Sequence, residues 1–209
     1  MNCDSPTSYP SDCQILEDMR SRVREKQSAP MSSERKIALA KAKEIKLLLL
    51  DVDGVLTSGH LLYSGENSES KSFHTADGFG LRLLNEAGIA TGVITARKST
   101  VVQRRAEELK MSHIYQGAKN KNVAFKEILK ATGLKPFEVA YMGDDWLDLV
   151  LLQQVGLAAT PANGMPELKE RVHYVTERQG GSGAVRELCD LIIAGKGLTD
   201  SLLQTYLSR

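Results

Sequence analysis

Cysteine, long apolar runs and excess charge are all scarce in this sequence. There are 3 cysteines in 209 residues, at Cys3, Cys13 and Cys189, with no Cys-x-x-Cys spacing and no histidine pair nearby. An odd, scattered set of this kind argues against a disulfide framework or a thiolate metal site and for free reduced thiols. No apolar run approaches the ~18–20 residues of a membrane span, and the opening MNCDSPTSYP lacks the charged-then-apolar order of a signal peptide. The expected compartment is therefore the cytoplasm, with no membrane partner. Basic and acidic residues nearly balance, 27 against 26, for a formal net charge of +1, so nothing in the charge calls for nucleic acid. The basic clusters at Arg20–Arg24, Lys41–Lys46 and Arg104–Arg105 are interleaved with acids or apolar residues and read as solvated faces.

Residues 1–31 stand apart, rich in Ser, Pro and charge, with only Ile15, Leu16, Met19 and Val23 suggesting a short helical stripe. They are predicted to form a flexible N-terminal arm, with residues 32–209 forming the folded domain and its C-terminal helical tail. In that domain Ile45–Leu50 is a continuous apolar run, the pattern of a central parallel strand buried on both faces. Further strands are predicted at Ile89–Ile94, His113–Tyr115, Glu138–Met142, Leu157–Ala159 and His173–Val175. Helical stretches fall between them at Phe79–Ala87, Ser99–Lys110, Asn120–Ala131 and up to about Val155, then from Pro166 and over Ala184–Ala194. Such alternation predicts an α/β fold, a Rossmann-like parallel sheet with helices on both faces. Right-handed crossovers bring the strand C-termini to one edge, where such sheets bind ligands. Val55–Phe73 has no helical pattern and contains a Ser64-Gly65-Glu66-Asn67 turn, so it is predicted to be a β-hairpin projecting from that edge.

Four groups of residues sit at predicted strand ends. Asp51-Val52-Asp53-Gly54-Val55-Leu56-Thr57 places two carboxylates directly after the buried strand, pointing in nearly the same direction. One can attack phosphorus and help hold a divalent cation, while the other protonates the leaving oxygen and later deprotonates water. Thr95, with Ala96 and Arg97 after it, offers a hydroxyl and backbone N–H groups to phosphate oxygens. Lys119 and Lys121 open a helix, and a lysine beside the carboxylates can neutralise a transferring phosphoryl group; spacing alone does not choose between them. Gly143-Asp144-Asp145-Trp146-Leu147-Asp148 supplies hard oxygen ligands suited to Mg²⁺.

At these residues the sequence resembles the haloacid dehalogenase-like phosphohydrolase superfamily. The resemblance implies Asp51 as nucleophile, Asp53 as general acid/base, and Thr95 with Lys121 as ligands of the phosphoryl group. It implies Mg²⁺ held by Asp51, the backbone carbonyl of Asp53, and Asp144, with Asp145 and Asp148 contributing directly or through water. An acid at position 53 argues against a dehalogenase, which has no leaving oxygen to protonate. The strings FHTADGFG, ITARKS, YQGAKNK, AYMGDDWLD and GGSGAVRE are similar to a capless, tetrameric branch acting on phosphates of 2-keto-3-deoxy acid sugars. That likeness selects Lys121 over Lys119 and implies Arg97, Asp77 and Arg186 as substrate-binding residues. It also implies a homotetramer in which the hairpin packs between subunits and a neighbour's tail helps to close the site, with a closing role for Gly180–Arg186. Ala76 and Ala96 depart from the branch, which usually carries Arg and Gly there. Arg97 favours an eight-carbon acid sugar over a nine-carbon one. Two readings from other classes remain open. One is a phospho-accepting receiver domain, which would place its acidic pair first and its acceptor Asp mid-chain; the other is a catalytically silent scaffold.

Overall fold

A computed structural model describes residues 11, 13–18, 21, 31–63 and 69–208. The chain divides into two units, Met1–Ser33 and Glu34–Arg209. In the first, residues 13–18 are helical, and Ile15 and Leu16 of the predicted stripe are exposed. Met19, Val23 and the predicted turn at Ser64–Asn67 lie outside the described residues.

After helix α1 (Ser33–Ala42), β1 (Leu47–Leu50) leads into an antiparallel hairpin of β2 (Leu62–Tyr63) and β3 (Glu69–Ser70). Then follow α2 (Thr75–Glu86), β4 (Ala90–Thr95), α3 (Thr100–Glu108), β5 (His113–Gln116), α4 (Lys121–Thr132) and β6 (Val139–Met142). The chain ends with α5 (Leu149–Leu152), β7 (Leu157–Thr160), α6 (Pro166–Lys169), β8 (Tyr174–Val175), α7 (Ala184–Gly195) and α8 (Thr199–Leu207). Six strands form one parallel sheet in the order β5-β4-β1-β6-β7-β8.

Every leucine of β1 is fully buried, and the strand's two-residue period sends them to opposite faces. Leu48 and Leu50 join Leu81, Leu84, Val102 and Leu188 from α2, α3 and α7. Leu47 and Leu49 join Phe125, Ile128 and Leu151 from α4 and α5. Burying each such side chain contributes roughly 1.5–3 kcal/mol, so this run secures the sheet to helices on both sides.

Two predicted helices are shaped differently. α2 begins four positions before the predicted Phe79, running through Gly78 and Gly80. Those glycines are sites of close approach: a Cβ at Gly78 would overlap the Arg105 guanidinium, and one at Gly80 would crowd Arg186 and Cys189. The segment before Val155 is a 3₁₀ turn, Trp146–Asp148, followed by the short α5, because Asp148 turns inward instead of continuing a solvated helix face.

From β1 the chain moves outward to β4 and β5, then returns to the other side of β1 as β6. The order therefore reverses between β1 and β6. Open α/β sheets bind ligands at that point, outside the strands' carboxyl ends.

Candidate active site

Asp51 follows β1 and donates its backbone N–H to the Met142 carbonyl at 3.0 Å, so it sits directly at the β1/β6 reversal. The chain then turns tightly: Val55, Leu56 and Thr57 all donate backbone N–H groups to the Val52 carbonyl, at 3.3, 2.9 and 3.1 Å. Gly54 enables this turn with φ +87°, and a Cβ there would overlap the Asp144 carboxylate. The turn carrying Asp53 and the acid after β6 thus meet at a position where only glycine fits.

Lys121 stands at the start of α4, whose N-cap Asn120 accepts from the Asn122 N–H at 3.1 Å. Its side chain is 3% exposed, whereas Lys119 faces solvent. The Lys121 ammonium lies 3.0 Å from Asp51 Oδ2 and 2.6 Å from Asp148 Oδ1, and donates to the Tyr141 hydroxyl at 3.2 Å. Burial opposes its charge, but Asp51 and Asp148 outweigh that and raise its pKa.

Asp148 is fully buried and anchors the acid cluster. Oδ1 accepts from Lys121 and, at 2.6 Å, from the Tyr141 hydroxyl; Oδ2 accepts the backbone N–H groups of Asp144 at 2.9 Å and Asp145 at 3.2 Å. Tyr141 belongs to this site although the sequence pattern did not single it out. It lies within a buried strand run, and the only hint was a phenol at a position that otherwise wants an aliphatic side chain. Burial, followed by the Asp148 charge, pushes its pKa far above the usual value.

A divalent cation fits what is here. One oxygen from each of Asp51, Asp144 and Asp148 falls within 4.8 Å of the others. Among the described residues, Asp51 Oδ1 is buried without a hydrogen-bond partner. Burial and then the Asp148 charge push Asp51 up to about 6 against the opposing Lys121, while burial and the surrounding acids push Asp144 up to about 7. Carboxylates held this close resist ionising together unless positive charge joins them. Asp148 lies near enough to the other two, yet its hydrogen bonds already fill the four lone-pair sites of a carboxylate. Asp51 and Asp144 are thus the side chains with oxygens to offer. Asp145 is exposed and caps the 3₁₀ turn, accepting the Trp146 N–H at 2.6 Å.

Asp53 stands apart from that cluster, ion-paired through Oδ1 with Lys71 and through Oδ2 with Arg97 Nε at 3.6 Å. Lys71 and Glu69, at the base of the hairpin, are further site residues beyond the sequence prediction. The Lys71 side chain is 1% exposed and lies 3.3 Å from Glu69, which also pairs with Arg97 at 3.2 Å. Buried Thr95 ends β4, and its hydroxyl accepts the Arg97 N–H at 3.5 Å.

Two predicted substrate ligands point elsewhere. Asp77 is 1% exposed, and its oxygens accept the backbone N–H groups of Gly183 at 3.3 Å and Arg186 at 2.7 Å. The Arg186 guanidinium lies on Asp190 at 2.8 Å and over the Phe79 ring, lining a cavity of about 560 Å³ with Leu202 and Tyr206. His173 Nδ1 accepts the Ala158 N–H at 3.0 Å, and His113 opens β5.

A carboxylate with a spare oxygen beside a buried lysine, at a sheet reversal, is an arrangement suited to a phosphoryl group. Residues 95–188 match the family model of the haloacid dehalogenase-like hydrolases. The 3-deoxy-D-manno-octulosonate 8-phosphate phosphatase of Escherichia coli strain K12 is 44% identical over 163 residues, covering 78% of this chain and 86% of that protein. The Moraxella catarrhalis enzyme of the same name was solved with magnesium ion, phosphate ion and a KDO molecule. It superposes with a TM-score of 0.79 at 40% identity, covering 81% of this chain and 97% of that one. The cobalt-bound Haemophilus influenzae phosphatase gives a TM-score of 0.73 at 35% identity, over 75% and 92%. The chain belongs to the haloacid dehalogenase-like hydrolase family. Within that family it is a phosphatase. No helix among the described residues is long and apolar enough to cross a membrane.

Proposed function

We infer that this phosphatase hydrolyses 3-deoxy-D-manno-octulosonate 8-phosphate through a phosphoryl group carried on Asp51. The observation that carries the mechanism is the buried Oδ1 of Asp51, without a hydrogen-bond partner among the described residues, whose other oxygen lies 3.0 Å from Lys121. The substrate rests on relatives of that name at 44% identity.

In the first half-reaction the Asp51 carboxylate forms a bond to phosphorus while the bond to the sugar oxygen breaks, and Asp53 gives that oxygen its proton. In the second, Asp53 takes a proton from the water that attacks the phosphorus and releases Asp51. Lys121 and the Thr95 hydroxyl hold the transferring oxygens, donating where negative charge accumulates. Arg97, whose partly exposed guanidinium lies beside Asp53 and Glu69, brings a cationic group to the acidic end of the sugar. Asp51, Asp144 and the Asp53 carbonyl would hold Mg²⁺, which neutralises charge between two anions. The hairpin and C-terminal tail serve a homotetramer in the cytoplasm.

Phosphate release with Mg²⁺ from the octulosonate 8-phosphate, a nonulosonate 9-phosphate and generic phosphomonoesters tests the reading. The expected result is a kcat/KM preference for the eight-carbon substrate and loss of activity in Asp51→Asn. Activity surviving that substitution removes the mechanism. A preference for the nine-carbon acid removes the substrate and keeps the phosphatase.

A further inference from the structure

We propose that Asp77 is a positioning residue for Asp53: it holds the glycine loop after β8 against the turn that carries Asp53, and so sets where that carboxylate stands. The proposal rests on the reading above, in which Asp53 protonates the leaving oxygen.

A helix leaves its first backbone N–H groups without partners, and a side-chain acceptor normally satisfies them from the preceding residue. α7 has glycine at that position: Gly183, with φ +106° and no side chain to offer. Asp77, more than a hundred positions away on α2, takes the role, with one oxygen on the Gly183 N–H and the other on the Arg186 N–H. Both oxygens are occupied by backbone. Burial raises its pKa, so the group stands in a place that costs it solvation. The proposed chemistry has no direct use for a carboxyl held there.

The segment that Asp77 fixes presses on the catalytic turn. Gly180 donates its N–H to Asn163 Oδ1 at 2.7 Å, and Gly181 donates to the Val55 carbonyl at 2.9 Å. A Cβ at Gly180 would overlap the Gly54 carbonyl, and one at Gly181, where φ is +65°, would overlap the Ser58 N–H. Loop and turn therefore meet backbone to backbone. Asp53 is the residue immediately before Gly54. With Asp77 gone, the first turn of α7 and its glycine loop lose their anchor, and the turn loses the surface it is pressed against.

An ordinary helix cap would affect only stability, so the test must be blind to the fraction of folded enzyme. A sugar alkoxide leaves poorly without a proton, whereas p-nitrophenolate leaves unaided, so a displaced Asp53 penalises the sugar phosphate selectively. With Mg²⁺ present, kcat/KM is measured for both esters, and their ratio cancels the concentration of active protein. Asp53→Asn calibrates the ratio, with an expected fall of roughly 10²–10⁴-fold. Asp77→Asn is expected to lower it in the same direction by about 10- to 100-fold. Gly181→Ala approaches the same contact from the loop and is expected to lower the ratio too, which covers an Asp77→Asn chain that fails to fold. Equal losses on both esters, or no loss, in the variants that fold overturn the proposal and leave the phosphatase reading intact. An unchanged ratio in Asp53→Asn, or wild-type inactivity on both esters, overturns that reading and the proposal with it.

Discussion

Lys121 has a carboxylate on either side, and the Tyr141 hydroxyl bridges it to Asp148. Tyr141→Phe removes the donor to Asp148 Oδ1 and leaves a buried acceptor short of one hydrogen bond. The expected cost is about 1–3 kcal/mol of stability, read by urea unfolding, with kcat lowered because the phenol braces Lys121, which holds the transferring oxygens. Unaltered stability and kcat would remove Tyr141 from the site. At this scale the sequence was readable where chemistry demands unusual residues at strand ends. Asp51, Asp53, Asp144 and Lys121 each follow a strand or open a helix in the expected place. Tyr141 and Lys71 were not readable, since one lies within an apolar run and the other on a polar hairpin, where both types are ordinary. Asp77 was legible as a motif residue but not in its duty, because its partners lie 106 and 109 positions away.

Among the elements, the junction of β1 with its turn is the least tolerant of change. Gly54→Ala puts a side chain in the left-handed region, at about 1–2 kcal/mol, and drives its methyl group into the Asp144 carboxylate. Mg²⁺ affinity is expected to fall along with stability, as calorimetric titration against the wild type would detect; unchanged affinity would mean that Asp144 holds no cation. The central strands β1, β4, β6 and β7 were legible, because burial on both faces requires continuous apolar runs. The helices were less so: α2 hides its start behind Gly78 and Gly80, which signal helix breaking in sequence but serve close packing against Arg105 and Arg186. Hydrophobic periodicity reports which face of an element is buried and carries no information on how near its neighbour lies.

For the whole molecule, the acid cluster sets a pH dependence whose sign depends on the cation. Without metal, Asp51 near 6 and Asp144 near 7 lie above their ordinary 3.8. Between those limits the folded chain binds more protons than the unfolded one, so stability falls as pH rises through the window. The penalty is fully present above pH 7, where both groups ionise against each other. The metal-free chain is therefore expected to melt at higher temperature at pH 6 than at pH 8. Added Mg²⁺, which favours the ionised acids, is expected to stabilise most at pH 8 and least at pH 5. A thermal scan with chelator or Mg²⁺ at each pH decides the matter, and Mg²⁺ stabilisation that grows with acidity would contradict the assignment.

The position of β1 at the centre of the sheet has a further consequence for how the chain is made. The ribosome releases this strand early, yet its neighbour β6 ends only at Met142. At translation speeds of roughly 5–20 residues per second, that interval lasts about 5–20 s. Throughout it, a run of leucines has at least one edge unsatisfied and open to pairing with other chains. The nascent protein is then both inactive, since Asp144 and Asp148 do not yet exist, and adhesive. Slowing translation between β5 and β6 should raise aggregation during synthesis while leaving the finished enzyme unchanged.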